Sequence, residues 1–263
     1  MRVSIVIPAY NEEKRIGKML DEYGKFFYEL KKKNVLDFEI FVMINGTTDR
    51  TEEVVKEYQK KFKEIIYINR LDIAAKGLAV IEGFKDALKR NNDLIGFVDG
   101  DLATPPEAYY ELIKNIGNYD GIIPIRWDKK SKIVFEQSFF RKMLSAGYNF
   151  IVRSLFLFPY KDTQCGAKLF KREILEKNVN KIVTSSWGFD IALLFCLRKE
   201  SHAKIKSIPT IWEDKKGSKI NFKRTPIRMF ASAIRLRLIH SPFKEFVRLY
   251  RKLPEKMKFH QWG

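Results

Sequence analysis

With 263 residues, 45% of them hydrophobic and 14% aromatic, the chain has the size and apolar content of one large α/β domain, which excludes wholesale disorder. Net charge is +18 and unevenly spread: residues 215–263 carry 14 Lys/Arg against only Glu245 and Glu255, +12 of the total. Such a tail suits a polyanion, either nucleic acid or an anionic membrane surface.

The first apolar run, Val3 to Ile7, predicts a buried strand. It is too short for a signal peptide, has no cleavage site after it, and no stretch reaches the ~18 apolar residues of a spanning helix. Asn11 is expected to cap a helix running to about Lys33. Strands are expected at Phe38–Ile44, Ile65–Ile68, Leu94–Val98 and Gly121–Ile125. Helices are expected at Thr48–Phe62, Ala75–Arg90 and from Pro105 or Pro106 onward. This alternation predicts an open, mostly parallel sheet of Rossmann-like type, with ligands beyond the carboxyl ends of its strands.

Three polar clusters fall there: Ala9-Tyr10-Asn11-Glu12, Asn45-Gly46 and Asp99-Gly100-Asp101. Two carboxylates one residue apart on a turn can face one hard cation, Mg²⁺ or Mn²⁺, which bridges phosphate oxygens. The glycine between them would let the backbone bend close to a ligand. A solvated acidic turn is the plain alternative.

The second half differs. Phe135 to Phe158 is rich in large apolar residues with arginines interspersed, and Trp187–Leu197 reads as a helix. Lys204–Ile208 reads as a strand. Pro226–Ile239 and Phe243–Leu253 read as basic amphipathic helices. Cys165 and Cys196 form neither a disulfide framework nor a metal spacing, as expected in a reducing cytosol.

Four strings occur in order: Pro8-Ala9-Tyr10-Asn11-Glu12, Asp99-Gly100-Asp101, the run Asp162-Thr163-Gln164-Cys165-Gly166-Ala167-Lys168-Leu169-Phe170, and Trp187-Gly188-Phe189-Asp190. Together they resemble family 2 glycosyltransferases of GT-A fold, in particular the dolichyl-phosphate hexose synthases and their glucosyltransferase branch. The resemblance implies a hexose, glucose rather than mannose, moved with inversion from UDP-glucose or GDP-mannose to a dolichyl or polyprenyl phosphate. It implies a Mg²⁺ or Mn²⁺ ion held by Asp101 and Asp99. Pro8, Tyr10, Glu12, Asn45, Lys76 and Gly77 would join those two aspartates around the nucleotide sugar. Arg126, Arg141, Ser145, Ser218 and Lys219 would meet the acceptor phosphate. Asp162 and Asp190 would orient sugar or acceptor, with Asp162 the fallback base.

Each residue has a plainer alternative. Tyr10 could be core, Glu12 could charge a helix start, and Arg141 could snorkel from a surface helix. Asn45 stands where relatives carry an acid, which puts base selectivity in question, and Ala103 stands where mannosyl enzymes often place a Gln near the metal.

A catalytic domain over residues 1–220 is expected, with an acceptor and interface helix at 132–158. A basic segment at 221–263 would lie on the cytoplasmic face of a membrane. A glycan or other hydroxyl acceptor is the alternative within the class. A nucleic-acid-binding protein is the alternative outside it, although no helix-turn-helix, zinc or RNA-stacking motif is present and no nucleic acid is expected.

Overall fold

The first strand, β1 (Arg2–Ala9), is buried on both faces from Val3 onward, as a central parallel strand must be. The computed structural model describes residues 1–70, 75–134, 139–183, 188–213 and 225–241. Beside β1 lie β2 (Asp37–Asn45), β3 (Ile65–Arg70), β4 (Leu94–Val98), β5 (Gly121–Ile125), β7 (Ala167–Lys171) and β8 (Ile205–Pro209). They form one sheet ordered β3-β2-β1-β4-β7-β5-β8. Every pairing is parallel except those of β7, which runs against both β4 and β5. A small second sheet pairs β6 (Lys132–Ile133) with β9 (Ile211–Trp212).

Side-chain alternation splits the core into two layers. Ile5, Ile7, Ile40, Val42 and Ile44 pack with residues of α1 (Ile16–Lys32), α2 (Thr51–Lys61) and α4 (Pro106–Lys114). On the other face Val6, Phe41, Met43, Ile95 and Phe97 pack with residues of α3 (Lys76–Leu88), α5 (Phe139–Phe156), α6 (Arg172–Asn178), α7 (Phe189–Ser201) and α8 (Thr225–Ile239). Each large side chain so buried contributes about 1.5–3 kcal/mol.

Two expectations change. The first helix begins at Ile16, because Asn11 takes a left-handed φ of +52° and is drawn to the next loop. Its N–H donates to Thr47 Oγ1 at 2.8 Å, and its Oδ1 accepts from Thr48 N at 2.8 Å. The glycine of Asp99-Gly100-Asp101 is not the residue that bends: its φ is not in the left-handed region, whereas Leu102 turns the chain at φ +59°.

Helix α8 docks on the body through buried Ala233 and Leu236, and Tyr148 Oη on α5 donates to Met229 O at 3.3 Å. Among the described residues no helix is long and apolar enough to cross a membrane. The helix expected at Phe243–Leu253 lies outside the described residues.

Candidate active site

The turn after β4 is fixed from four directions. Asp99 N donates to Gly166 O at 2.8 Å, and Asp101 Oδ1 accepts from Ala103 N at 3.0 Å. Tyr23, fully buried on α1, donates its hydroxyl to Thr104 O at 2.8 Å, and Glu213 N donates to Ala103 O at 2.8 Å. The small β6–β9 sheet covers the turn, where Ile133 and Trp212 pack with Ala103 and Cys165. Burial pushes the Cys165 thiol up to about 12, so it stays protonated and serves as packing.

Gly166 is the glycine this site requires. A Cβ there would sit 2.2 Å from Asp99 Oδ2 and 2.6 Å from its Cγ. At Gly100 the nearest atoms to a new Cβ would be Pro8 O, Ile7 Cγ2 and Ile16 Cδ1 at 3.4–3.6 Å, an ordinary contact directed into the core.

Lys76, at the start of α3, places Nζ 2.5 Å from Asp99 Oδ1. Burial, with Asp101 and Asp190 adding to it, holds the Asp99 carboxyl above its ordinary value even against Lys76. Burial pulls on the Lys76 ammonium too, but Asp99 and Asp190 outweigh it and the ammonium is held above its ordinary value. Gly77 does not open toward a ligand: a Cβ there would lie 2.5 Å from Phe189 Cβ, so it seats α3 against α7.

Asp162 is fully buried and fully engaged. Arg126 donates Nε to its Oδ2 at 2.7 Å and Nη2 to its Oδ1 at 3.0 Å. The backbone N–H groups of Arg126 and Gln164 add bonds at 3.1 and 3.2 Å. Burial raises the Asp162 carboxyl, yet Arg126 outweighs it and the net direction is down. A carboxylate so held is a poor base. The Arg126 guanidinium also lies 5.7 Å from the centroid of the Trp127 ring and 5.3 Å from that of the Trp212 ring. Its Nη1 makes no hydrogen bond among the described residues. Asp190, in the first turn of α7, pairs with the buried Lys168.

Tyr10, just after β1, is 52% exposed, so it is not core. Pro8 is buried within β1. The Glu12 carboxylate takes a bidentate bond from Arg15, at 2.7 and 2.5 Å, at the entrance of α1. Asn45 is 2% exposed, and its Oδ1 is a buried acceptor with no hydrogen-bond partner among the described residues. Asp49 is occupied structurally: it accepts from Thr51 N at 3.0 Å and from Glu13 N at 3.1 Å.

Ser145 lies one turn before Asn149 on α5. Asn149 Oδ1 accepts from Thr163 N at 3.3 Å, which ties this face of α5 to the loop holding Asp162. Arg141 belongs to the same helix; its side chain, like Ser218 and Lys219, lies outside the described residues. Sequence inspection passed over Gly166 and Lys168, although both sit inside the Asp162–Phe170 string. It also passed over Arg15, whose guanidinium is raised chiefly by Glu12 and further by the charges of Asp101 and Asp99.

For a divalent ion the described residues hold no cluster of three or more His, Cys, Asp or Glu. Asp99 and Asp101 offer hard carboxylate oxygens on one turn, and Asp101 Oδ2 makes no hydrogen bond among the described residues. That donor set fits an ion whose shell is completed by a diphosphate and water, not a closed protein cage.

The family model described as Glycosyl transferase family 2 matches residues 4–179. A dolichyl-phosphate beta-glucosyltransferase of Trichomonas vaginalis is 31% identical over 247 residues, covering 90% of this chain and 73% of that protein. The dolichyl-phosphate beta-glucosyltransferase of Drosophila melanogaster is 32% identical, covering 84% of this chain and 69% of the relative. Glucosyl-3-phosphoglycerate synthase from Mycobacterium tuberculosis, solved with Mn²⁺, UDP and glucosyl-3-phosphoglycerate, superposes with a TM-score of 0.65 at 18% identity. That match covers 90% of this chain and 78% of the other. Mannosyl-3-phosphoglycerate synthase from Rubrobacter xylanophilus gives 0.68 at 13% identity, covering 100% of this chain and 80% of that one. These two share its GT-A fold. Nothing in the family or these relatives supports the nucleic-acid alternative. From the matched motif block and the relatives alike, the chain belongs to glycosyltransferase family 2.

Proposed function

We propose that this enzyme transfers glucose from UDP-glucose to a dolichyl or other polyprenyl phosphate, at the cytoplasmic face of a membrane. The observation that carries the proposal is the placement of two charge centres on one sheet edge. The Asp99–Asp101 turn with Lys76 lies after β4, and Arg126, whose Nη1 makes no hydrogen bond among the described residues, lies after β5. Relatives named for dolichyl phosphate and beta-glucosyl transfer support the substrate pair.

The acceptor oxygen belongs to a phosphate monoester whose second pKa is about 6, so it is already a nucleophile near neutral pH. Its attack on the sugar C1 breaks the bond from C1 to the diphosphate oxygen and inverts that centre. No strong base is needed, which agrees with Asp162 being locked by Arg126. A Mg²⁺ or Mn²⁺ ion held by Asp101 and Asp99 would supply charge to the departing diphosphate. Lys76 would add its own positive charge there, and Tyr10 and Asn45 would hold the nucleoside. Arg126, Arg141, Ser145, Ser218 and Lys219 would hold the acceptor phosphate, since guanidinium forks match phosphate oxygens.

A lipid acceptor needs a docking surface. Helix α5 keeps Met143 and Phe150, two turns apart, 52% and 69% exposed, with Leu157 just beyond at 75%. Helix α8 adds exposed Phe230 and Ile234 beside Arg228, Arg235 and Arg237. Apolar side chains edged by basic ones suit an anionic membrane surface.

The test supplies Mg²⁺ or Mn²⁺, polyprenyl phosphate and a panel of radiolabelled nucleotide sugars, and counts label in the organic phase. Label from UDP-glucose is expected. Label only from GDP-mannose would overturn the donor, and none from any donor would overturn the lipid acceptor.

A further inference from the structure

Lys168 is fully buried under the site, with no role in the chemistry above. Its Nζ donates to Cys165 O at 2.7 Å and pairs with Asp190 Oδ1. It also lies 5.2 Å from the centroid of the Phe97 ring, whose other cationic neighbour is Lys76 at 5.7 Å. Taking an ammonium out of water costs several kcal/mol even when paired, and a well-packed apolar side chain is often as stable or more so. Packing alone is therefore a weak reason for a lysine here.

What the ammonium does is join separate pieces of the site. Its bond to the Cys165 carbonyl anchors the ammonium on the loop before β7. Through Asp190 it holds the first turn of α7, whose Phe189 packs on Phe97 with centroids 5.6 Å apart. With Oδ1 taken, Asp190 keeps Oδ2 without a hydrogen bond among the described residues. The Asp190 charge is felt at Lys76 and Asp99 after β4 and at Arg126 after β5.

We propose that Lys168 is a positioning residue that fixes the Asp190 carboxylate so that its second oxygen accepts a hydroxyl of the donor hexose. This rests on the nucleotide-sugar reading of the site. A hydroxyl donating to a carboxylate is a charge-assisted bond of high directionality, and its aim is set by what grips the other oxygen.

Calorimetry with UDP and with UDP-glucose, on the full chain with Mn²⁺, separates sugar from nucleotide. In Lys168→Met and in Asp190→Asn, UDP affinity should change less than about 2-fold. UDP-glucose should weaken by about 10- to 100-fold relative to UDP, the worth of one hydrogen bond to a charged group. Glucose transfer should fall about 100-fold in both, the size expected when a reacting group is misplaced by about 1 Å. Because Lys168 acts through Asp190, the double variant, with both charges gone, should lose no more than Asp190→Asn alone. That comparison also decides the matter if Lys168→Met does not fold. Equal losses of UDP and UDP-glucose affinity, or a double variant that loses the product of the single effects, would overturn the proposal. Wild-type chain that binds UDP but not UDP-glucose would overturn the donor assignment, and this inference with it.

Discussion

Replacing Gly166 by Ala adds one methyl at the point where the loop before β7 meets Asp99. The new carbon would start 2.2 Å from Asp99 Oδ2, and ordinary contact begins near 3.4 Å, so the two must part by about 1 Å. Gly166 cannot retreat freely, because its carbonyl accepts from Asp99 N at 2.8 Å and its neighbours Cys165 and Ala167 are fully buried. The Asp99 side chain therefore swings, and its pairing with Lys76 is lost. Overpacking of this kind costs about 1–3 kcal/mol of stability. With Asp99 in the proposed role, its displacement by about 1 Å costs about 100-fold in rate. Gly100→Ala is the control: its methyl points at Ile7 and Ile16 at ordinary distance, so turnover should stay within a few-fold of wild type. Transfer of labelled glucose to polyprenyl phosphate measures the rates, and a circular dichroism melt measures the stabilities. If Gly166→Ala matched wild type while Gly100→Ala were inactive, the assignment of the close approach to Gly166 would be refuted.

Other expectations separate stability from chemistry. Asp162 has its carboxyl lowered in the folded state, so it stabilises the protein above the ordinary carboxylate range, near pH 4, and that contribution fades as pH falls through the lowered value. Melts of Asp162→Asn should therefore differ from wild type most at pH 7 and least below about pH 4; a constant difference would exclude the linkage. Glu39, 1% exposed, receives Arg2 at 3.2 Å, Arg90 at 3.4 Å and Asn92 at 3.1 Å near the opposite end of the sheet. Glu39→Ala should cost about 1–3 kcal/mol by taking the carboxylate from the partly buried Arg90 and the buried Asn92 amide, yet preserve kcat below the melting range. Changing both Met143 and Phe150 to Ser should weaken flotation with anionic vesicles by more than about 10-fold and leave UDP binding unchanged; undiminished flotation would remove α5 from the membrane surface.

Much of the fold was legible because buried β-branched runs mark central strands. Leu94–Val98 and Gly121–Ile125 match the structure residue for residue, and Pro106 opens α4 as its lack of an N–H allows. The first helix start was misread because Asn11 carries a capping residue's chemistry but spends it on Thr47 and Thr48 of another loop. The reversed direction of β7 was not visible, since Ala167–Lys171 has the apolar content of any buried strand and pairing direction is a tertiary matter. At the site, residue types suggested which groups matter but not which are already occupied. Arg126 and Asp162 looked like separate functional groups until the fork between them was seen, and Gly100 drew attention that belonged to Gly166 because close approach occurs between segments distant in sequence.

The reversed strand has a consequence for recombination between related enzymes. Residues 162–166 reach both halves of the sheet: Asp162 grips Arg126 after β5, and Gly166 bonds Asp99 after β4. The spacing between the Asp99 turn and Arg126 is thus set by a five-residue spacer read from both ends at once. A chimera with its crossover inside this spacer would pair one parent's Asp162 with the other parent's Gly166, and a single inserted residue would change the spacing between Arg126 and Asp99 without touching either aspartate of the turn. Crossovers placed before residue 158 or after residue 171 would carry the spacer whole.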